Sequence, residues 1–176
     1  TLFLFILMLR TCLSFVSLNV RGLRDNVKRK AMFMFIKGLK ANCALLQETH
    51  SSDADATFWS NQWGEKILFS HGSNHSAGVA LCFYRCPGKV VTFQADISGH
   101  WLAVVLSIDG SFVILVNVYG YSSVTLNKLM LEKITDVLSE YKLLYHTDHV
   151  LLGGDFNLVP KIETLLDTVL ISGIQL

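Results

Sequence analysis

The stretch of the sequence that is most informative about chemistry is residues 149–160, HVLLGGDFNLVP. Its first residues have the apolar character of a short buried strand, and two glycines separate that strand from Asp155 and Asn157. Because residues i and i+2 of a strand point to the same face, this carboxylate and this carboxamide can address one small target together. The alternative is an ordinary polar turn, since Gly, Asp and Asn are common turn residues.

Two earlier apolar segments end in a similar way. Residues 13–19 (LSFVSLN) end at Asn19, and residues 44–50 (ALLQETH) carry Glu48 near their end. In open α/β sheets, ligands bind outside the carboxyl ends of the strands. Three strand ends that carry Asn, Glu and Asp-x-Asn form an oxygen-rich cluster of the kind that Mg²⁺ prefers. The pattern therefore predicts a magnesium site at one end of the sheet.

The elements that must position these residues are short strands with a few helices. Between Glu48 and Asp155, apolar segments alternate with clusters of Gly, Asp, Asn and Ser, and Asp109-Gly110 is a strong signal for a two-residue hairpin. This is a run of antiparallel strands rather than a repeating βαβ pattern. We therefore predict an α/β protein, a four-layer α/β sandwich in which two mixed sheets pack face to face with helices outside.

Apolar spacing predicts which helix faces are buried. For the helix that follows residue 25, the predicted packed face consists of Val27, Ala31, Phe35, Ile36 and Leu39. For a helix over residues 126–145, it consists of Leu126, Met130, Ile134, Val137, Leu138 and Tyr141. The aromatic side chains of residues 53–64 are predicted to be core, with base stacking as the alternative; they are Phe58, Trp59 and Trp63.

Basic residues are concentrated in residues 21–30, RGLRDNVKRK, which hold five of the fifteen Lys and Arg residues. Such a run is either a solvated helix face or a phosphate-binding surface near Asn19. The phosphate-binding candidates are Arg21, Arg24, Lys28 and Arg29. The net charge of the whole chain is +1, so its composition carries no strong nucleic-acid signature.

The four cysteines, at positions 12, 43, 82 and 86, do not have the spacing of a disulfide framework. We read them as core cysteines, which fits a reducing nuclear or cytoplasmic compartment. Residues 1–12 form an apolar N-terminal extension whose run of nine apolar or small residues is shorter than the roughly 20 that span a membrane. The extension lacks the basic start of a signal peptide. A signal-like N-terminus or a membrane anchor is the alternative, and no membrane partner is expected.

Five motifs occur in order along the chain: SLNVRGL, LLQETH, SAGVAL, VNVYG and GGDFN. Together they resemble the endonuclease/exonuclease/phosphatase superfamily, which has the DNase I-like fold. LQETH and SAGVA are most similar to the endonuclease domains of LINE-type (non-LTR) retrotransposon proteins, and less similar to abasic-site endonucleases. The resemblance covers residues 13–160 and leaves residues 161–176 as a divergent tail.

The resemblance implies Mg²⁺-dependent hydrolysis of DNA phosphodiesters, with Mn²⁺ as an alternative ion. Glu48 and Asn19 would hold the metal, and Tyr119 would contact the scissile phosphate. Asp155 would orient or deprotonate the attacking water, while Asn157 would hold the phosphate or Asp155. The implied partner is the phosphate backbone of duplex DNA, contacted by a monomer that needs no small-molecule cofactor.

The sequence departs from the family pattern at two places. The usual Tyr-x-Pro-Asn motif reads Tyr119-Gly120-Tyr121-Ser122 here, and the further Asp and the Ser-Asp-His motif of the family do not follow Asp155. We therefore expect weak or lost activity from a domain that is incomplete at its C-terminus. Three hypotheses stay open: a retrotransposon-derived endonuclease, an abasic-site endonuclease or other phosphodiesterase, and a catalytically inactive fragment.

Overall fold

The computed structural model describes residues 2–8 and 12–157, and the divergent tail predicted over residues 161–176 lies outside them. The described residues form nine strands and three helices. In chain order they are β1 (Leu2–Met8), β2 (Cys12–Asn19), α1 (Asn26–Gly38), β3 (Cys43–Gln47), α2 (Asp53–Trp63), β4 (Ile67–Ser70), β5 (Val79–Phe83), β6 (Lys89–Ala95), β7 (Trp101–Ile108), β8 (Ser111–Tyr119), α3 (Val124–Tyr145) and β9 (Val150–Asp155).

The strands form two mixed sheets. One sheet has the order β1-β2-β3-β5-β4 and the other has the order β6-β7-β8-β9. The pairs β2–β3 and β8–β9 are parallel, and the remaining neighbours are antiparallel. The predicted hairpin joins β7 to β8, where Asp109 and Gly110 both have positive φ, as a tight hairpin turn requires.

The core has three apolar layers. The inner faces of the two sheets pack against each other through side chains such as Phe15, Leu45 and Val104. The outer face of the first sheet is covered by α1 and α2, and the outer face of the second by α3. This arrangement confirms the predicted four-layer sandwich. Buried hydrogen bonds also join the sheets, and in one of them Gln47 Nε2 donates to Asn117 Oδ1 at 2.7 Å.

The buried face of α1 differs from the prediction. Val27 is 76% exposed and Phe35 is 49% exposed, whereas Arg29, Phe33 and Ile36 are buried. The helix takes this orientation because the Arg29 guanidinium reaches inward to backbone carbonyls and lies over the ring of Trp59, as described below. The predicted packed face of α1 was wrong except at Ile36, and Leu39 is exposed as well.

The other two helices follow the predictions more closely. In α2, Trp59 and Trp63 are core residues as predicted, while Phe58 is exposed. In α3 the predicted face is buried at four positions and half-buried at Leu138, but Leu126 in the first turn is exposed. The four buried residues are Met130, Ile134, Val137 and Tyr141.

The N-terminal apolar segment adds an edge strand, since β1 pairs antiparallel with β2 from Leu2↔Leu18 to Met8↔Cys12. All four cysteines are free. Cys43 and Cys82 are buried as predicted and Cys86 is half-buried, but the prediction was wrong for Cys12, which is exposed. Among the described residues, no helix has the length and apolar character needed to cross a membrane.

Candidate functional site

The predicted site residues meet at the carboxyl ends of neighbouring strands from both sheets. Asn19 ends β2, and Glu48 directly follows β3, the parallel neighbour of β2. Tyr119 and Asp155 end β8 and β9, and they are register partners in the second sheet. Face-to-face packing of the sheets therefore brings four side chains to one place from segments more than 130 positions apart in the chain.

Hydrogen bonds join these four side chains into one network. Asn19 Nδ2 donates to Glu48 Oε1 at 2.8 Å and to Asp155 Oδ2 at 2.9 Å. The Tyr119 hydroxyl donates to the same Glu48 oxygen at 2.9 Å. The carboxamide thus holds two carboxylates side by side, and the phenol approaches one of them from the opposite sheet.

Asn157, two residues after β9, is fixed against the end of β8. Asn157 has a φ of 47°, a left-handed conformation that Asn adopts more readily than most residues. Its Nδ2 donates to Gly120 O at 2.7 Å, and its backbone N–H donates to Asp155 Oδ1 at 3.2 Å. Gly154 has a φ of 144°, and a Cβ there would overlap the carbonyl oxygen of Val118. The predicted glycine pair therefore contributes a close backbone approach beside the site.

Glu48 is held by a strained backbone. Its φ is 54°, and His50 has a φ of 56°, values that cost energy in non-glycine residues and persist where surrounding contacts enforce them. Backbone bonds supply this enforcement: Gly22 N–H donates to Glu48 O at 2.6 Å, and Leu23 N–H donates to Thr49 O at 2.9 Å. The loop after β2 therefore fixes the position of the carboxylate.

Burial shapes the ionisation of two neighbouring groups. Burial raises the pKa of the Tyr119 phenol above its ordinary value, and its hydrogen bond to Glu48 raises it further. The phenol is therefore a proton donor at neutral pH. Burial also lowers the pKa of His50, although the negative charge of Glu48 opposes this shift. His50 is accordingly biased toward its neutral form.

The donor set fits a hard divalent cation with few protein ligands. Glu48 Oε2 receives no hydrogen bond from the described residues, and the two carboxylates lie next to each other through their shared Asn19 donor. Among the described residues, no group of three or more His, Cys, Asp or Glu side chains is placed to hold an ion. Mg²⁺ is usually held by one or two carboxylates with several waters, so Glu48, Asn19 and Asp155 suit it better than an ion that needs a full protein cage.

Three of the four predicted phosphate-binding residues are exposed on the loop after β2 and in the first turn of α1, the segment that follows Asn19. Arg21 is exposed, and its backbone N–H donates to Asn19 Oδ1 at 3.1 Å. Lys28 Nζ donates to Arg21 O at 2.7 Å. Arg24 pairs with Asp55 at 2.8 Å and also donates to Asn74 Oδ1 at 2.8 Å, so part of its charge is already neutralised.

Arg29 is a correction to the predicted phosphate-binding set. Its side chain is buried, with 3% of the residue exposed, and its guanidinium donates to the carbonyls of Leu23 and Arg24 and to the side chains of Gln62 and Asn26. It also lies 4.8 Å from the ring of Trp59. Because its N–H donors are used inside the fold, Arg29 fastens the loop after β2 to α1 and α2 and has no free face for a phosphate.

Sequence reasoning missed His100. Its Nδ1 lies 2.6 Å from Tyr119 O, and its ring stacks on Tyr119 and on Tyr121, with centroids 5.6 Å and 3.5 Å away. These contacts support the end of β8 where the family motif has Pro-Asn. The only sequence signal was the replacement of that pair by Tyr121-Ser122, because the position of His100 depends on the pairing of β7 with β8.

A two-sheet α/β sandwich with Asn, Glu and Asp at the carboxyl ends of β2, β3 and β9 defines a protein of the DNase I-like fold. Residues 16–169 match the Endonuclease/Exonuclease/phosphatase family, and the chain belongs to that family. It is 27% identical over 147 residues to a Transposon TX1 uncharacterized 149 kDa protein of Xenopus laevis. That match covers 82% of this chain and 11% of the Xenopus protein.

Solved structures share the fold at low identity. Truncated TDP2 of Caenorhabditis elegans superposes with a TM-score of 0.58 at 21% identity, over 84% of this chain and 63% of that one. D. rerio TDP2, complexed with a single strand DNA product, superposes with a TM-score of 0.57 at 18% identity, over 84% of this chain and 61% of that one. The endonuclease domain of TRAS1, a telomere-specific non-LTR retrotransposon, superposes with a TM-score of 0.56 at 13% identity, over 83% of this chain and 61% of that one. The chain thus spans less than two thirds of these relatives.

Proposed function

We propose that this chain is a Mg²⁺-dependent endonuclease domain of retrotransposon type that hydrolyses phosphodiester bonds in DNA. The observation that carries the proposal is the hydrogen-bonded network of Asn19, Glu48, Asp155 and Tyr119 at the strand ends. Two adjacent carboxylates can hold a divalent cation and orient or deprotonate a water, and a neutral phenol can donate a hydrogen bond to a phosphate oxygen on which negative charge develops. Membership of the family and the similarity to transposon proteins support the substrate class.

Each residue has a role that follows from its chemistry. Glu48 and Asn19 would hold Mg²⁺, with Mn²⁺ as the alternative; the bound ion would supply Lewis acidity at the scissile phosphate. Tyr119 donates a hydrogen bond from its phenolic hydroxyl to a non-bridging phosphate oxygen when substrate replaces its hydrogen bond to Glu48. Asp155 orients the attacking water or accepts its proton, since it lies across Asn19 from Glu48.

The proposed partner is DNA, bound through its phosphates. Arg21 and Lys28 are exposed beside Asn19, and Arg24 adds a third cation at the same loop. The single strand DNA product in the D. rerio TDP2 structure supports this partner by similarity of fold. Because the net charge of the whole chain is only +1, DNA binding depends on this local group of cations. The proposed acting form is a monomer in the nucleus or cytoplasm.

The test uses 5′-labelled duplexes, one intact and one with a single abasic site, incubated with the purified chain and Mg²⁺. We expect weak cleavage of the intact duplex, with little preference for the abasic one. Glu48→Gln should lower the rate at least about 100-fold, while the matched change Asp136→Asn on the exposed face of α3 should leave it unchanged. Cleavage restricted to the abasic duplex would assign the site to repair-type chemistry. Equal rates for Glu48→Gln and the unmodified chain would refute the site.

A further inference from the structure

A small cavity lies beside the candidate site, on the outer side of the second sheet. Its volume is about 110 Å³, and it is formed by the turn between β6 and β7, the segment after β8, and the N-terminal half of α3. The residues that decide its chemistry are Asp96, Trp101, Tyr121, Leu126, Leu129 and Lys133. None of them belongs to the network described above.

The cavity is at the same end of the molecule as the site. Trp101 is the register partner of Val118, the residue before Tyr119. Tyr121 stacks on His100 with centroids 3.5 Å apart and rings 18° from parallel, and His100 stacks on Tyr119 at 5.6 Å and 14°. A continuous stack of rings therefore runs from the phenol that contacts Glu48 to the wall of the cavity.

The walls of the cavity suit a flat aromatic ring. Trp101 is almost fully buried, while Leu126 and Leu129 are large apolar side chains left exposed at the rim. Tyr121 is held in place by Asn127, which accepts from its backbone N–H at 2.6 Å and donates to its carbonyl at 2.7 Å. A pre-formed apolar slot of this kind binds a planar group with little loss of side-chain freedom.

The polar groups of the cavity match the edge of a nucleobase. The Asp96 carboxylate can accept from amino and imino groups, and the Lys133 ammonium can donate to ring nitrogen or carbonyl oxygen. One Asp96 oxygen already accepts from the His100 backbone N–H at 3.1 Å, which fixes the carboxylate. The volume is that of a single ring system and is too small for a base pair.

We propose that this cavity receives one unpaired nucleobase of the strand whose phosphodiester lies at the Glu48–Asp155 site. The inference rests on the proposed function and adds a substrate feature to it: the nucleotide next to the scissile bond is unstacked or single-stranded. A base inside a duplex has its faces and pairing edge covered, so it must leave the stack before it can enter. Stacking on Tyr121 and Trp101 offsets that cost, and base–aromatic stacking is tolerant of sequence.

The test measures binding without cleavage. A short single-stranded oligodeoxynucleotide that carries one 2-aminopurine is titrated with the purified chain in EDTA, and stacking of that base on an aromatic ring is read as loss of its fluorescence. Tyr121→Ala should raise the Kd roughly 5- to 150-fold, the effect of losing one stacking partner. Free 2-aminopurine mononucleotide, as a second probe, separates binding of a strand from binding of a lone nucleotide; we expect the strand to bind more tightly.

A matched pair of surface variants controls for unfolding and for general DNA affinity. Leu129→Gln changes the rim of the cavity at a residue that is 51% exposed, and Leu143→Gln makes the same change on the same helix at a residue that is 77% exposed. The two positions are about 21 Å apart along α3. We expect Leu129→Gln to weaken binding several-fold and Leu143→Gln to leave it unchanged.

The outcomes separate this inference from the proposed function. Fluorescence loss that Leu129→Gln reduces supports the cavity, whether or not the chain cleaves DNA. Equal Kd values for Leu129→Gln, Leu143→Gln and the unmodified chain would overturn the inference, even if cleavage of duplex DNA is observed. Tighter binding of the free mononucleotide than of the strand would also overturn it, because the cavity would then serve a small molecule.

Discussion

Glu48 Oε1 accepts two hydrogen bonds, from Asn19 and from Tyr119, while Oε2 accepts none from the described residues. One oxygen therefore fixes the carboxylate, and the other is available to a cation. If the hydrogen bond from Tyr119 to Glu48 is broken, Glu48 keeps its position because Asn19 still donates to the same oxygen. The phenol is thus the group of the network that can turn toward a phosphate at the lowest cost.

Tyr119→Phe tests this role. Removing the hydroxyl deletes a donor to the phosphate and leaves Glu48 held by Asn19, so kcat should fall about 10²-fold or more. Because the ring stays in its stack with His100, thermal stability should change little. Nicking rates and melting curves of the variant and the unmodified chain check this. A variant with full activity would show that the phenol is only structural.

The half-buried His71 is predicted to make the folded chain less stable at acid pH. Burial lowers its pKa below the ordinary value near 6.5, and the nearby Asp53 and Asp55 offset this only in part. The unfolded chain then binds more protons than the folded chain in the window below pH 6.5, so stability is full above that pH and falls as the pH drops toward the folded pKa. His71→Gln should flatten this slope between pH 7 and 5, measured as urea midpoints. The exposed His75→Gln in the same loop should keep it.

Residue identities predicted most of the site. Asn19, Glu48 and Asp155 were named from their places at strand ends, and Tyr119 from the resemblance to the family. The structure brings all four together. Arg29 could not be assigned correctly from sequence, because a basic run looks the same whether a side chain points outward or inward. Its burial depends on the carbonyls of the loop after β2 and on the ring of Trp59, which are non-local contacts.

At the level of elements, substitution by alanine is predicted to change the free energy of unfolding in opposite directions at two glycines. Gly154 in β9 has a positive φ and no room for a Cβ beside Val118 O, whereas Gly38 at the end of α1 has no neighbour within 4 Å. Gly154→Ala should lower the free energy of unfolding by about 2–3 kcal/mol. Gly38→Ala should raise it by up to about 1 kcal/mol, because alanine is the better helix former. Urea denaturation of the two variants compares them directly, and equal effects would contradict the geometry at Gly154.

Strand positions were easier to predict than helix faces. The strands from β2 to β9 are marked by local apolar runs and turn signals, as Asp109-Gly110 shows, whereas β1 lies in the segment that was predicted to be an N-terminal extension. The face of α1 could not be found from apolar spacing, because Val27 and Phe35 follow helical periodicity on the side that faces solvent. The helix is oriented by Arg29, Phe33 and Ile36, and an arginine does not count as a core residue in any hydropathy pattern.

At the scale of the whole molecule, the site exists only if the two sheets keep their relative position. Asn19 and Glu48 come from one sheet, while Tyr119 and Asp155 come from the other. The buried link between Gln47 and Asn117 lies directly beneath them, and Asn117 Nδ2 also donates to the carbonyls of Leu46 and Ala80 at 2.9 Å.

Asn117→Ala tests this link. The change leaves two buried carbonyls without their donor, so the free energy of unfolding should fall by about 2–3 kcal/mol. The exposed Asn61→Ala in α2 should have little effect. Urea midpoints of the two variants provide the comparison, and similar small shifts for both would mean that the link contributes little.

The order of the strands and the stacking of His100 between tyrosines are likewise properties of the whole fold, which is why spacing along the chain predicted neither.

The most direct measurement of the central claim is nicking of supercoiled plasmid by the purified chain, with Mg²⁺ or with EDTA, beside Asp155→Asn. The proposed site predicts nicking that requires Mg²⁺ and falls at least about 100-fold in the variant. A folded chain that does not nick, or that nicks equally with Asn at position 155, would contradict the assignment of the Asn19–Glu48–Asp155 network as a phosphodiesterase site.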